Sequence, residues 1–165
     1  MKILVDSREQ HPFTFAGYDA AVVAGSLPTG DYSILHLEHQ IAIERKSLPA
    51  LVGCLTSGRE RFTHELERGR GMSVFCVVVE DDWRALVDGR YRSKMTPEAA
   101  TASVLSMSMR YRIPFHFCGS RAAAEAVTFN LLRLYLQSAE KKLKSIVAAH
   151  NLQPQGKHND YQVSV

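Results

Sequence analysis

The sequence is short of the residues that mark secreted, zinc-binding and membrane-spanning chains. Its three cysteines, Cys54, Cys76 and Cys118, are odd in number, widely spaced and never paired as C-x-x-C. A disulfide framework or zinc knuckle is therefore not expected, and a reducing, intracellular compartment fits. None of the seven histidines belongs to an H-E-x-x-H or similar pair, so all are read as ordinary core or surface residues. No apolar run approaches the ~20 residues that cross a bilayer, so no membrane association is expected. Lys2 to Val5 meets Asp6 too early to form the core of a signal peptide. Repeats and internal linkers are also missing.

What remains is ordinary for one globular domain. The chain has 165 residues, 45% hydrophobic and 22% charged, enough to bury a sizeable core. Net charge is +3 and the pI near 8.8, compatible with nucleic acid without arguing for it. The basic residues fall in stretches: Arg59, Arg61, Arg68 and Arg70; then Arg84, Arg90, Arg92 and Lys94; then Lys141, Lys142 and Lys144. Each also reads as a solvated face, and for the last cluster that reading is preferred.

Pattern and punctuation predict alternating strands and helices. Lys2 to Val5 is a first strand, and residues 20–24 form either a short helix or a strand. After the turn residues Leu27-Pro28-Thr29-Gly30, the runs Tyr32 to Leu37 and Gln40 to Glu44 read as a hairpin. Ser47 caps a helix beginning near Pro49, and a second helix covers Arg59 to Arg68. Ser73 to Glu80 is a buried strand, residues 81–95 are irregular, and Thr96-Pro97-Glu98 starts a helix running to Arg110. Ile113 to Cys118 is a last strand, and Ser120 caps a long helix through at least Gln137. The final fifteen residues lack periodicity and are expected to be mobile. This order argues for a single α/β domain with a mixed sheet.

The hairpin carries the chemistry. With a centred two- or four-residue turn, Asp31 faces Lys46, Ser33 faces Glu44 and Ile34 faces Ile43. Because side chains alternate, Asp31, Glu44 and Lys46 share one face, while Tyr32, Ile34, Ile41 and Ile43 share the other. Glu-x-Lys alone is more often a cross-strand ion pair than a site. Two carboxylates beside an ammonium, however, suit phosphodiester hydrolysis with a divalent ion. Asp, twelve residues, then Glu-x-Lys is the pattern of the PD-(D/E)xK nuclease fold.

Three ordered motifs extend the pattern: Val5-Asp6-Ser7-Arg8-Glu9, Gly30-Asp31-Tyr32 and Glu44-Arg45-Lys46-Ser47. With Leu51 to Leu55 and Gly58-Arg59-Glu60-Arg61-Phe62, they resemble the nuclease domain of the XPF family of structure-selective endonucleases. The resemblance covers about residues 2–137 and leaves 138–165 as a helical extension and polar tail. It implies a restriction-endonuclease-like mixed central sheet flanked by helices. It also implies Mg²⁺ or Mn²⁺ on Asp31 and Glu44, with Lys46 assisting at the scissile phosphate of branched, forked or flapped DNA. Asp6 and Glu9 would support the catalytic cluster, Asp6 as a further metal ligand or as the cap of a strand-end turn. Arg8 and Arg45 would lie near DNA or behind the metal ligands. Arg59 and Arg61 would touch phosphate, or else pair with Glu60 or Glu65 on a helix surface.

Two departures qualify the resemblance. The family motif continues E-R-K-x-x-x-D, whereas this chain has Ala50 where the last acid belongs. The chain is then a disarmed nuclease or an active one that tolerates the loss; the alternatives are a non-catalytic junction-binding module and a subunit whose long final helix recruits a catalytic partner. No pair of Gly-x-Gly hairpins follows the long helix, so branch selectivity is expected from the domain itself, a protein partner or a homodimer. Val127, Leu131, Leu134 and Tyr135 offer a dimer or partner face, with packing on the sheet as the alternative.

Overall fold

The computed structural model describes residues 1–151. Six strands form one sheet in the order β2-β1-β3-β4-β5-β6: β1 (Lys2–Asp6), β2 (Ala21–Gly25), β3 (Tyr32–Ile34), β4 (Ile41–Lys46), β5 (Val74–Val79) and β6 (Phe115–Phe117). β3 runs antiparallel to both its neighbours, whereas β1–β2, β4–β5 and β5–β6 are parallel. The mixed sheet expected from the sequence is present. Residues 20–24, where pattern alone left helix and strand open, supply the edge strand β2.

Both faces of the sheet are covered, which is why β5 reads as a continuous apolar run. On one face Ala42, Val77 and Val79 pack beneath α1 (Leu48–Leu55), α2 (Arg59–Arg70) and α4 (Pro97–Tyr111). On the other, Ile3, Val5, Tyr32, Ile34, Ile41, Ile43 and Val78 meet Phe13, Phe15 and α5 (Arg121–Ala149). Helix starts follow the capping rule: Ser47, Thr96 and Ser120 each accept a hydrogen bond from the backbone N–H three residues on. Asp82 does the same for α3 (Trp83–Val87), a five-residue helix inside the stretch read as irregular. Its sequence, WRALV, is too short to show a period.

The hairpin register differs from expectation. Tyr32 pairs with Ile43, two residues away from the predicted alignment. The turn is not centred: residues 35–40 form a bent loop in which the amides of Gln40 and Ile41 both donate to Leu37 O. A slip of two preserves side-chain parity, so the assignment of faces survives. Of the apolar set proposed as a dimer face, Val127, Leu131 and Tyr135 pack on the sheet, and Leu134 alone points outward at 55% exposure. The expectation of a mobile tail falls outside the described residues beyond Asn151.

α2 lies close to β5 at Gly69, where an added Cβ would stand 2.4 Å from the Phe75 ring. Alanine in a helix gains roughly 1 kcal/mol over glycine, but overpacking a filled core costs about 1–3 kcal/mol. Gly69→Ala should therefore lower stability in urea denaturation despite its better helix propensity. An unchanged midpoint would mean that α2 can lift off the strand.

Candidate active site

The ends of β3 and β4 open into a cleft of about 430 Å³, lined on its floor by Asp31, Glu44 and Lys46 and on its rim by Arg8, Arg61 and Arg68. Gly30 sets up the approach. Its φ of +79° belongs to the left-handed region, and a side chain there would press on Ala42 Cβ at 2.9 Å. The next residue is then locked by two backbone bonds, Asp31 N–H to Ile43 O (2.8 Å) and Asp6 N–H to Asp31 O (2.9 Å). Asp31 Oδ2 accepts the Arg45 amide at 2.8 Å. Glu44, 1% exposed, gives Oε1 to the Lys46 ammonium. Its Oε2 is buried and has no hydrogen-bond partner among the described residues.

This is an electrostatically unfinished arrangement. Burial, with the adjacent Glu44 charge, pushes the Asp31 carboxyl up to about 7, against the pull of Lys46 and the Arg45 N–H. Burial also raises Glu44, and Lys46 offsets only part of that rise. For Lys46, burial disfavours the charged form, but the carboxylates of Glu44 and Asp31 prevail and hold the ammonium charged. One cation thus serves two crowded carboxylates. A buried carboxylate oxygen without a donor is costly unless something else binds it.

The ERCC4 domain family matches residues 5–131. The chain belongs to that family. Comparison with curated proteins gives no match. Among solved structures, XPF from Aeropyrum pernix in complex with DNA is similar at 22% identity and a TM-score of 0.63, over 83% of this chain and 66% of that one. A second structure of XPF from Aeropyrum pernix aligns at 21% identity and a TM-score of 0.67, over 90% of this chain and 73% of the other. The fold is that of the XPF nuclease domain.

The ERCC4 domain distributes the residues singled out by sequence unequally. Asp31, Glu44 and Lys46 converge as expected. Asp6 lines the same cleft, but its carboxylate is engaged: Oδ1 accepts from Arg8 N and Nε, and Oδ2 from Arg8 Nη2 and Leu27 N, each at 2.8 Å. That is the turn-capping alternative rather than a free metal ligand. Glu9 and Arg45 are also spent internally. Arg45 lies on the opposite face of β4 from Glu44 and Lys46. There it bridges Glu9 and Glu80, at 2.9 Å to each, while Glu80 also binds Arg121 at 2.5 Å. Burial would raise Glu9, but hydrogen bonds from Arg45 and the His11 N–H bring it below its ordinary range. Both residues also line the cleft, so these ion pairs place them behind the Asp31–Glu44 pair, one of the two positions the resemblance implied for Arg45.

Of the other proposed DNA contacts, Arg8 and Arg61 rim the cleft, and Arg8 is 73% exposed in its side chain. Arg59 turns away, donating to Leu55 O and Ser103 Oγ at 3.3 Å. Glu65 and Arg68 also line the cleft, although the sequence placed them only in a helix-surface ion pair and a basic stretch. The signal was present. Phe62, Leu66 and Gly69 form the buried stripe of α2, and Arg61, Glu65 and Arg68 repeat the same spacing one position earlier.

Asp6 supports a pH prediction. Its hydrogen bond to the Arg8 side chain, helped by the amides of Arg8 and Leu27, outweighs burial and lowers its pKa from 3.8 to about 2. A carboxyl depressed on folding stabilises above its unfolded pKa and loses that contribution as pH falls through the folded one. The stability gap between the chain and Asp6→Asn should therefore be full at pH 5, on the order of 2 kcal/mol. It should close towards pH 2. A gap independent of pH in urea melts would remove the ionised Asp6 from the account.

Proposed function

We propose that this ERCC4 domain is a Mg²⁺- or Mn²⁺-dependent, intracellular DNA endonuclease acting on branched, forked or flapped DNA. The observation that carries the reading is the unpartnered Glu44 Oε2 beside Asp31, with Lys46 charged, at the floor of a cleft rimmed by arginines. A divalent ion fits the donors present. Among the described residues no three acidic, histidine or cysteine side chains close at ligand spacing. A hard cation that retains several waters needs only one or two carboxylates. Asp31 and Glu44 would hold it, and once bound it polarises a phosphate oxygen and lowers the pKa of a water.

The remaining work falls to the chain's own groups. The Arg45 amide fixes Asp31, so that one ligand is oriented by the backbone of the strand carrying the other. Lys46 is held protonated and offsets charge developing on the phosphate. Arg8, Arg61 and Arg68 engage backbone phosphates, contacts that position DNA without reading its sequence. The solved XPF from Aeropyrum pernix in complex with DNA supports the choice of substrate class.

Ala50 favours a second reading, a junction-binding module without cleavage. It is exposed on α1 and lines the cleft, so an acid there would face the same space as Glu44 and Lys46. Cleavage of a labelled flap in Mg²⁺ and Mn²⁺, comparing the chain with Ala50→Asp, separates the two. Cutting by both variants supports the nuclease reading and makes position 50 dispensable. Cutting by Ala50→Asp alone identifies a disarmed nuclease with its remaining site intact. Binding without cutting by either establishes the binding module.

A further inference from the structure

We propose that Glu65, on α2, completes the cation site of this chain by positioning Glu44 and replacing the acid that position 50 lacks. The inference rests on the metal-dependent reading above and deepens it. Three observations carry it. Glu65 and Ala50 line one cleft from neighbouring helices, so a carboxylate absent from α1 is available from α2. Glu65 also shares the cleft with Glu44 and Lys46, and its charge acts on both. Finally, Glu44 Oε2 is buried and lacks a hydrogen-bond partner among the described residues, although Oε1 is satisfied by Lys46.

The helix-surface explanation for Glu65 does not hold. Among the described residues no ion pair joins it to Arg61 or Arg68. Its backbone carbonyl accepts from Thr29 Oγ1 at 3.4 Å, which ties this turn of α2 to the loop leading into Asp31. Two carboxylates side by side repel unless a proton or a cation lies between them. Lys46 neutralises one oxygen of Glu44 and leaves the other facing that repulsion. A divalent cation, which Asp31 and Glu44 would hold, would resolve it. Glu65, outside direct ligand spacing, would then orient Glu44 and could accept hydrogen bonds from water around the cation. Outer groups of this kind contribute to affinity as well as geometry.

The test is Mn²⁺ titration of the full chain, followed by the loss of the free-ion paramagnetic resonance signal. It compares the chain with Glu44→Gln, Glu65→Gln, Glu65→Asp and the double variant Ala50→Asp/Glu65→Gln, with metal-free melting of each. Expected are loss of binding in Glu44→Gln and a fall of about 10–100-fold in Glu65→Gln at unchanged metal-free Tm. Recovery of most of that affinity is expected in Glu65→Asp and in the double variant. Unchanged affinity in Glu65→Gln, alongside loss in Glu44→Gln, overturns the role of Glu65 and leaves the metal reading standing. A lowered metal-free Tm without rescue assigns Glu65 to structure and also overturns it. No Mn²⁺ binding by the chain itself removes both.

Discussion

Glu44→Gln should reduce metal-dependent flap cleavage by at least about 100-fold, the upper range for losing a group merely behind a metal ligand. Its Tm should stay level or rise. Where cleavage requires the restored acid, the same comparison is made in the Ala50→Asp background. The two effects separate because Glu44 is a costly residue for the fold. It is 1% exposed, one of its oxygens has no partner, and an ionised carboxylate taken out of water costs several kcal/mol before compensation. Glutamine retains an oxygen for the Lys46 ammonium, whose charge the neighbouring Asp31 carboxylate still balances, and it removes one of two crowded carboxylates. Undiminished cleavage would remove the β3–β4 end from the mechanism. A collapse in Tm would mean that the Glu44–Lys46 pair holds the strand end together.

Arg45→Met should cost about 3–5 kcal/mol, the usual consequence of removing one partner of a buried ion pair. Its side chain is 12% exposed, and its partners Glu9 and Glu80 are 6% and 14% exposed. Arg121 still pairs with Glu80 after the substitution, but Glu9 loses the one guanidinium that pairs with it among the described residues. For a chain of this length the loss corresponds to a fall in Tm on the order of 10 °C, measurable by circular dichroism. If Arg45 were a DNA contact, the variant would keep its Tm and bind DNA less tightly. That result would return Arg45 to the nucleic-acid interface.

The case of Arg45 shows where sequence reading stopped. Strand periodicity assigns faces, and it placed Asp31, Glu44 and Lys46 together even with the register wrong by two residues, because a slip of two leaves parity untouched. The same alternation puts Arg45 on the far side, but its partners are 35 and 36 residues away in sequence. Nothing local announces them. The hairpin register depended on the 35–40 loop, where His36 adopts a φ of 72° that its sequence does not advertise. Cap residues, by contrast, act within three positions, which is why Ser47, Thr96 and Ser120 marked their helices correctly. Glu65 was hidden for the opposite reason. Its position on α2 was clear, and a charged residue there reads as solvated until the strand ends facing it are known.

Ala50 has a consequence beyond the reaction. Its N–H is taken by the Ser47 cap, while its side chain is exposed at the cleft and belongs to neither core cluster. Aspartate and alanine codons differ by a single base. A lineage can therefore gain or lose the acid at this position without passing through a misfolded ancestor. If the acid at position 50 decides cleavage, cutting and merely holding DNA would be neighbouring inheritable states of one scaffold, separated by a mutation that selection for folding does not see.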